Sequence, residues 1–155
     1  MKHRMLTLLA LLALCTGAAA SLPAQVRFGA QASWGDNSDF GIGARLEHGL
    51  TKLFPKAPLR AAASFDYFFP GNSINYWELN YNVFYQLKAD ALTPYAGGGL
   101  VLAYASANGV SNSDLGVNLG GGLKFKTGGS MTPFLEARIE LGAGEQFVLT
   151  GGLLF

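Results

Sequence analysis

Residues that carry reactive chemistry are scarce in this sequence. Cysteine occurs once, at Cys15, and histidine occurs twice, at His3 and His48. A single cysteine forms no internal disulfide, and no His/Cys cluster provides a metal site. We therefore expect no disulfide, no metal centre and no cofactor.

Charge and long apolar runs are also limited. Charged residues make up 14% of the chain, against roughly 25% in ordinary soluble domains. The formal net charge is +1, so no nucleic-acid partner is expected. Beyond the N-terminal region, no segment has the ~18 consecutive apolar residues of a transmembrane helix. The chain instead has 21 glycines and 50% apolar residues, which suits many short strands with one face in an apolar phase.

The N-terminal region has the organisation of a secretory signal peptide. Basic residues at Lys2 and Arg4 precede an apolar run over residues 5–15 and small residues over 17–24. Cleavage after Ala20 or after Ala24 fits the small residues, and we prefer Ala24. The predicted organisation is therefore a signal peptide over 1–24 and a single domain over 25–155.

Cys15 raises a second interpretation of this region, a lipoprotein signal. Leu14 stands directly before it, where lipoprotein signals carry a small residue, and this disfavours lipidation. With cleavage after Ala24 the mature chain has no thiol.

The rest of the chain repeats a segment of alternating apolar and polar residues followed by a turn-rich stretch. Such alternation at period two indicates β-strands. Eight segments follow this pattern, over residues 26–34, 40–47, 59–69, 77–87, 93–104, 115–125, 135–141 and 146–155.

The last segment has its apolar residues two apart and ends the sequence on an aromatic. One face carries Phe147, Leu149, Gly151, Leu153 and Phe155. This resembles the C-terminal signal of Gram-negative outer-membrane β-barrels. In that family the strand is read by the barrel-insertion machinery and then pairs with the first strand. On this stretch alone, the buried C-terminal strand of a soluble β-domain fits equally well.

Taken together, the eight segments resemble the small outer-membrane barrels of the OmpA, OmpX and opacity-protein type. The resemblance implies an all-β fold, an eight-stranded antiparallel up-and-down transmembrane β-barrel preceded by a cleaved signal peptide. It also implies an outer-membrane location in a Gram-negative bacterium, with both barrel termini periplasmic. The partners implied are outer-membrane lipid and, during biogenesis, the insertion machinery.

The charged residues decide which face of the strands is enclosed. Five basic and five acidic residues share the polar faces, and four of the five basic ones are arginine, which suits enclosed pairing with carboxylates. We predict a lumen ion-pair network, with glycines leaving room for the long side chains. A soluble barrel with a solvated charged face is the alternative. The predicted network comprises Arg27, Arg45, Glu47, Arg60, Asp66, Glu78, Lys124, Glu136, Arg138 and Glu140.

Aromatic residues concentrate near both ends of the predicted strands, as the two girdles of a transmembrane barrel do. The first girdle is predicted to contain Trp34, Phe40, Tyr67, Phe69, Trp77 and Tyr104. The second is predicted to contain Tyr85, Tyr95, Phe125 and Phe134.

A catalytic site is not indicated. Outer-membrane lipases, deacylases and proteases of similar architecture use a histidine near the extracellular rim, whereas His48 falls at the opposite end of its strand. Glu136 and Glu140 share a face, but Arg138 lies between them, so an ion-pair ladder is the better interpretation. We expect a structural, anchoring or surface-contact protein with no catalytic activity.

Two other classes stay open, a minor porin-like permeability protein and a barrel enzyme acting on lipids. The loop predicted over residues 105–114 is a candidate contact site for an extracellular partner. The protein is expected to be a monomer.

Overall fold

The computed structural model describes residues 26–71, 74–87 and 89–155. The predicted signal peptide and its cleavage site lie outside these residues. Within them the chain forms eight strands: β1 (Val26–Gly35), β2 (Asp39–Gly49), β3 (Leu59–Phe68), β4 (Asn75–Gln86), β5 (Leu92–Ala107), β6 (Val110–Phe125), β7 (Thr132–Leu141) and β8 (Phe147–Leu154). No helix in this part of the chain is long and apolar enough to cross a membrane.

Each strand pairs antiparallel with the next, and the sheet closes between β8 and β1. In the closing pair Gly29 lies opposite Leu154 and Gly35 opposite Val148. The amide of Phe155 continues this ladder by donating to the Phe28 carbonyl at 2.7 Å. The predicted eight-stranded up-and-down antiparallel barrel is thus confirmed. We call the end with Val26 and Phe155 the terminal end and the opposite end the distal end.

The alternation of residue types explains why the sheet closes with a polar interior. Side chains on a strand point alternately to opposite faces, and here the apolar set lies outside, as with Ile42, Leu100 and Ile139, each about half exposed. The charged and amide side chains of the same strands are buried inside the closed sheet. A barrel with this arrangement satisfies its backbone internally and presents an apolar wall, which is what a bilayer requires.

The prediction of a loop over residues 105–114 is wrong. β5 continues to Ala107 and β6 begins at Val110, so the two strands form a long hairpin at the distal end. Asn108 and Gly109 make its two-residue turn, with φ of 51° and 81°. Asn-Gly favours this turn because both central residues need positive φ. The prediction gave more weight to the Asn- and Ser-rich composition, which is typical of a loop, than to this dipeptide.

Deleting Phe155 should lower the amount of barrel that reaches the membrane while leaving the stability of the folded barrel nearly unchanged. Its side chain is 57% exposed on the outer wall, so it makes few contacts within the fold. The measurement is the outer-membrane level of the truncated chain in cells, beside urea unfolding of the refolded protein. Phe125→Ala, another outward aromatic at the terminal end, is the control. Undiminished membrane levels after the deletion would refute the signal role.

Candidate functional site

The inside of the barrel is the candidate site, and β4 crosses all of its layers. From the distal end to the terminal end, its inward side chains are an aromatic, a carboxylate, two amides, a second aromatic and an amide at the terminal mouth. In order they are Tyr76, Glu78, Asn80, Asn82, Phe84 and Gln86. The lumen is therefore a stack of layers, each completed by other strands.

A terminal cluster of five charged residues occupies the half of the lumen near the chain ends. Glu47 lies at its centre: one carboxylate oxygen accepts from Arg45 Nε at 3.0 Å, and the other lies 2.5 Å from Lys124 Nζ and 3.4 Å from Arg60 Nε. Arg45 also reaches Glu136 at 2.8 Å through Nη2. One carboxylate is thus shared among three cations, and Arg45 bridges it to a second carboxylate.

A distal cluster has the opposite balance. Arg138 donates to Glu140 from Nε at 2.6 Å and to Glu78 from Nη2 at 2.9 Å, and Nη2 lies 3.9 Å from Asp66. Gln146 donates from Nε2 to both glutamates, at 2.5 Å to Glu78 and 2.9 Å to Glu140. One cation therefore serves three carboxylates, and neutral donors supply much of the remaining hydrogen bonding.

Asp66, the least closely paired of these carboxylates, is held by three neutral donors. The donors come from two strands: Gln31 Nε2 at 2.7 Å and Ser33 Oγ at 3.0 Å on β1, and Ser64 Oγ at 3.3 Å on β3. Because a buried carboxylate without such donors is costly, these residues are part of the distal cluster's stability.

An amide layer separates the two clusters. Asn118 donates from Nδ2 to the side-chain oxygens of Asn80 at 2.7 Å and Asn82 at 3.0 Å. These side chains come from β4 and β6, the two strands on either side of β5, and they meet inside the barrel.

Apolar and aromatic side chains are also buried at each end of the lumen. At the distal end, Phe68 packs on Tyr76 with ring centroids 5.6 Å apart. Val101, Ala103 and Ala143 are buried with Tyr76 packed against them.

At the terminal end the buried layer is aromatic and lies against the cations. The guanidinium of Arg45 lies 4.8 Å from the Phe134 ring centroid and 5.5 Å from that of Phe84. Lys124 Nζ lies 5.0 Å from the Tyr95 ring. Cations over ring faces are favourable contacts, so this layer supports the terminal cluster as well as filling space.

The ten residues predicted as a lumen network therefore divide between two clusters and the mouth. Eight side chains are almost fully buried, and Arg60 is 20% exposed. Arg27 is exposed at the terminal end, where its Nη1 donates to Thr132 Oγ1 at 3.1 Å. Within the described part of the chain it is not among the ion-paired residues.

Two residues predicted for the terminal girdle lie inside the barrel instead. Tyr95 and Phe134 are 3% and 2% exposed, and the Tyr95 hydroxyl donates to Glu136 at 2.9 Å. The physical reason is strand parity: their neighbours Ala96 and Leu135 face outward, which forces both rings inward. The prediction considered only their position near the strand ends and overlooked which face of the strand each residue occupies.

The other predicted girdle residues lie on the outer wall. At the distal end Trp77 stacks on Tyr104 at 5.1 Å and Phe40 on Phe69 at 6.4 Å between ring centroids. Tyr67 packs edge-on to Phe69 at 5.2 Å. The terminal band is thinner, with Tyr85, Phe125 and Phe155 at the outward positions.

Three inward glycines, Gly41, Gly122 and Gly152, lie against aromatic side chains, a role that the prediction of room for long charged side chains did not include. A Cβ at Gly122 would lie 2.7 Å from the Tyr95 hydroxyl oxygen, and one at Gly152 would lie 2.6 Å from Phe134. Some do border charged groups: a Cβ at Gly43 would contact Asp66.

Several lumen residues were missed by the sequence analysis. Gln146, Tyr76, Thr150 and Ser33 all join the distal cluster, and Thr150 connects Arg138 Nη1 at 3.2 Å with Ser33 at 2.9 Å. The sequence signal that could have found them is the alternation of faces along a strand. Each of these residues lies an even number of positions along the chain from another inward-facing residue, and such residues share a face. Searching for charge alone passed over them.

The residues weighed as catalytic candidates are not brought together. Glu136 belongs to the terminal cluster and Glu140 to the distal cluster, and each is engaged by its own arginine. His48 lies at the end of β2, with Nδ1 3.4 Å from the Gly49 carbonyl oxygen. Among the described residues, no group of three His, Cys, Asp or Glu side chains could hold a metal ion.

No family model matches the chain, and no curated protein matches its sequence. Solved structures do match its fold. Neisserial surface protein A (NspA) is 14% identical with a TM-score of 0.57, over 83% of this chain and 94% of that one. A structure from the de novo design of transmembrane β-barrels is 12% identical with a TM-score of 0.57, over 87% and 97%.

The outer membrane enzyme PagL is also similar, at 17% identity and a TM-score of 0.52, over 83% of this chain and 96% of that one. The matches include a surface protein, a designed barrel and an enzyme, so they agree on architecture and differ in activity. Together with the closed antiparallel sheet, they show that the chain has the fold of the small eight-stranded outer-membrane β-barrels.

Proposed function

We propose that this protein is a closed, non-catalytic barrel in the outer membrane of a Gram-negative bacterium, where it serves as an anchor and presents a surface-contact hairpin. The observation that carries the proposal is the filled lumen. Two ion-paired clusters, an amide layer and buried apolar and aromatic side chains occupy the interior between the two mouths. An eight-stranded barrel is about the size that side chains can fill.

The outer wall supports the membrane location. Large apolar side chains are exposed around the barrel, which is unfavourable in water but suits lipid. The proposed partners are therefore outer-membrane lipid around the wall and the insertion machinery at β8 during assembly. A monomer is sufficient, because the barrel closes on itself.

The hairpin of β5 and β6 supports the surface-contact role. Pairing between β6 and β7 starts only at Val117, so residues 110–116 of β6 have β5 as their sole strand neighbour. The hairpin therefore projects past β7, whereas β4 pairs with β5 as far as Ser106, and Val110 near its tip is 74% exposed. An unpaired strand edge with an exposed valine near its tip is suited to contact with another protein. The proposed contact site corresponds to the predicted site over 105–114, now as a rigid hairpin.

Permeability and lipid chemistry are the competing functions. A permeability protein needs a path through the amide layer and both clusters, which means separating ion pairs in an enclosed site. Lipid chemistry needs a nucleophile and a base within hydrogen-bond reach, and His48 lies at the terminal end, away from the distal polar residues.

Orientation and location can be tested together by cysteine labelling in intact cells, since the mature chain from residue 25 has no cysteine. Ser111→Cys on the exposed hairpin should react with a membrane-impermeant maleimide in intact cells. Lys56→Cys, exposed in the connection between β2 and β3, should react only after the outer membrane is permeabilised. The unsubstituted protein should not label, because Cys15 leaves with the signal peptide. Labelling of Lys56→Cys alone in intact cells would reverse the proposed orientation.

A further inference from the structure

The terminal mouth of the lumen forms a pocket of about 190 Å³ that belongs to neither ion-paired cluster alone. Its lining comes from β1, β3, β4, β5, β6 and β7 and from the residue just after β6, so it is framed by most of the barrel circumference. The lining residues are Arg27, Arg60, Gln86, Thr93, Lys124, Lys126 and Thr132.

Positive charge is in excess at this pocket. Four of its lining side chains are cationic and, among the described lining residues, none is acidic. The carboxylate of Glu47, in the terminal cluster, pairs with two of these four cations, Arg60 and Lys124. Glu47 also pairs with Arg45. Arg27 and Lys126 use neutral acceptors, the Thr132 hydroxyl and the Ala89 carbonyl.

The remaining lining groups are small polar donors. Thr93 and Thr132 contribute hydroxyls and Gln86 an amide, beside guanidinium and ammonium groups. Guanidinium groups match the oxygens of a phosphate with paired hydrogen bonds, and ammonium groups add point charges. We propose that this pocket, the terminal-mouth pocket, is a binding site for a phosphate group.

The two ends of the barrel differ in the sign of their exposed charge, which makes the site directional. The distal connections carry the exposed acidic residues Asp36 and Glu145, and the distal hairpin carries Asp114. The connections at the terminal end carry Lys52 and Lys56 in addition to the pocket cations, against one exposed acidic residue in their described part, Asp90. A phosphate is therefore attracted to one end of the barrel and repelled from the other.

The phosphate has two possible sources, the headgroup of an anionic phospholipid or a soluble phosphate. Tyr85 and Phe125 lie outward near the terminal mouth, where aromatic side chains of membrane barrels meet the headgroup region. Only the lipid source depends on the proposed membrane location. Binding of soluble phosphate depends on the pocket itself, so the two proposals can fail separately.

The test measures binding by isothermal titration to the refolded mature chain in a zwitterionic detergent. The probes are inorganic phosphate, short-chain phosphatidylglycerol and short-chain phosphatidylcholine, with chloride at matched ionic strength. The test variant is Arg27→Gln/Lys126→Gln, because both residues lie outside the Glu47 pairs and their removal leaves the buried network intact. The control is Lys52→Gln/Lys56→Gln, which removes the same charge at the same end but outside the pocket. Heat-modifiable gel mobility verifies that every variant is folded.

We expect phosphate to bind the unsubstituted protein and to bind the test variant about tenfold more weakly or worse, because two charge-assisted contacts are lost. The control should bind within about twofold of the unsubstituted protein, since exposed charges away from the site act weakly. Tighter binding of phosphatidylglycerol than of inorganic phosphate assigns the lipid source, and the reverse order assigns the soluble one. Equal weakening in both double variants, or no binding beyond that of chloride, would overturn the site.

Discussion

Replacing Arg138 with alanine should lower the free energy of unfolding by about 3–5 kcal/mol, the usual cost of removing one partner from a buried ion pair. Arg138 is the one cation in contact with Glu78, Glu140 and Asp66 among the described residues. Without it, three carboxylates remain enclosed with only neutral donors such as Gln146. The loss arises mainly from these stranded charges, more than from the volume of the missing side chain.

The measurement is urea unfolding of the protein refolded in lipid vesicles, with Lys56→Ala as the exposed control. Lys56→Ala should change the unfolding free energy by less than about 0.5 kcal/mol, as expected for a surface substitution. Adding Glu78→Gln and Glu140→Gln to Arg138→Ala should restore part of the loss, because the stranded charges are then gone. Equal, small losses for Arg138→Ala and Lys56→Ala would mean that these charges face water.

Replacing Glu47 with alanine should have a similar cost, also about 3–5 kcal/mol, for the opposite reason. Glu47 is shared by Arg45, Arg60 and Lys124, and its carboxylate is 1% exposed. Its removal takes the shared carboxylate from three cations, of which Arg45 retains Glu136 at 2.8 Å.

Glu47→Gln separates charge from shape in the same unfolding measurement. The amide fills the space and retains an acceptor, so a loss close to that of the alanine variant assigns the effect to charge. Asp90→Ala, an exposed acidic residue at the same end, is the matched control and should be nearly neutral. If Glu47→Ala were no more damaging than Asp90→Ala, the terminal cluster would contribute nothing to stability.

Alternation at period two predicted the eight strands, and the charged residues together with the resemblance to outer-membrane barrels predicted the transmembrane barrel. Each segment of β1 to β8 carries apolar residues on one face, and the pairing follows because neighbours in sequence are neighbours in an up-and-down barrel. Strand ends were predicted within a few residues except at β5 and β6. There the Asn108-Gly109 dipeptide specifies a tight turn, while the surrounding serines and asparagines have the composition of a loop.

The sequence predicted which side chains face the interior but not which of them contact one another. Parity along each strand places Arg45, Glu47 and Glu136 inside, since their strand neighbours are apolar. It does not give the contacts across the lumen, such as Lys124 of β6 with Glu47 of β2, because these depend on strand tilt and register. Tyr95 and Phe134 were misplaced for a different reason. The prediction gave their aromatic character more weight than the strand face on which they lie.

The central claim is that the side chains of this barrel fill its lumen, and liposome swelling tests it most directly. Vesicles containing the refolded protein should swell in a small sugar such as arabinose no faster than protein-free vesicles. A large water-filled porin in parallel vesicles shows that the assay detects permeation. Swelling that exceeds the protein-free rate and scales with the amount of inserted barrel would contradict the account and make a permeability protein the preferred function.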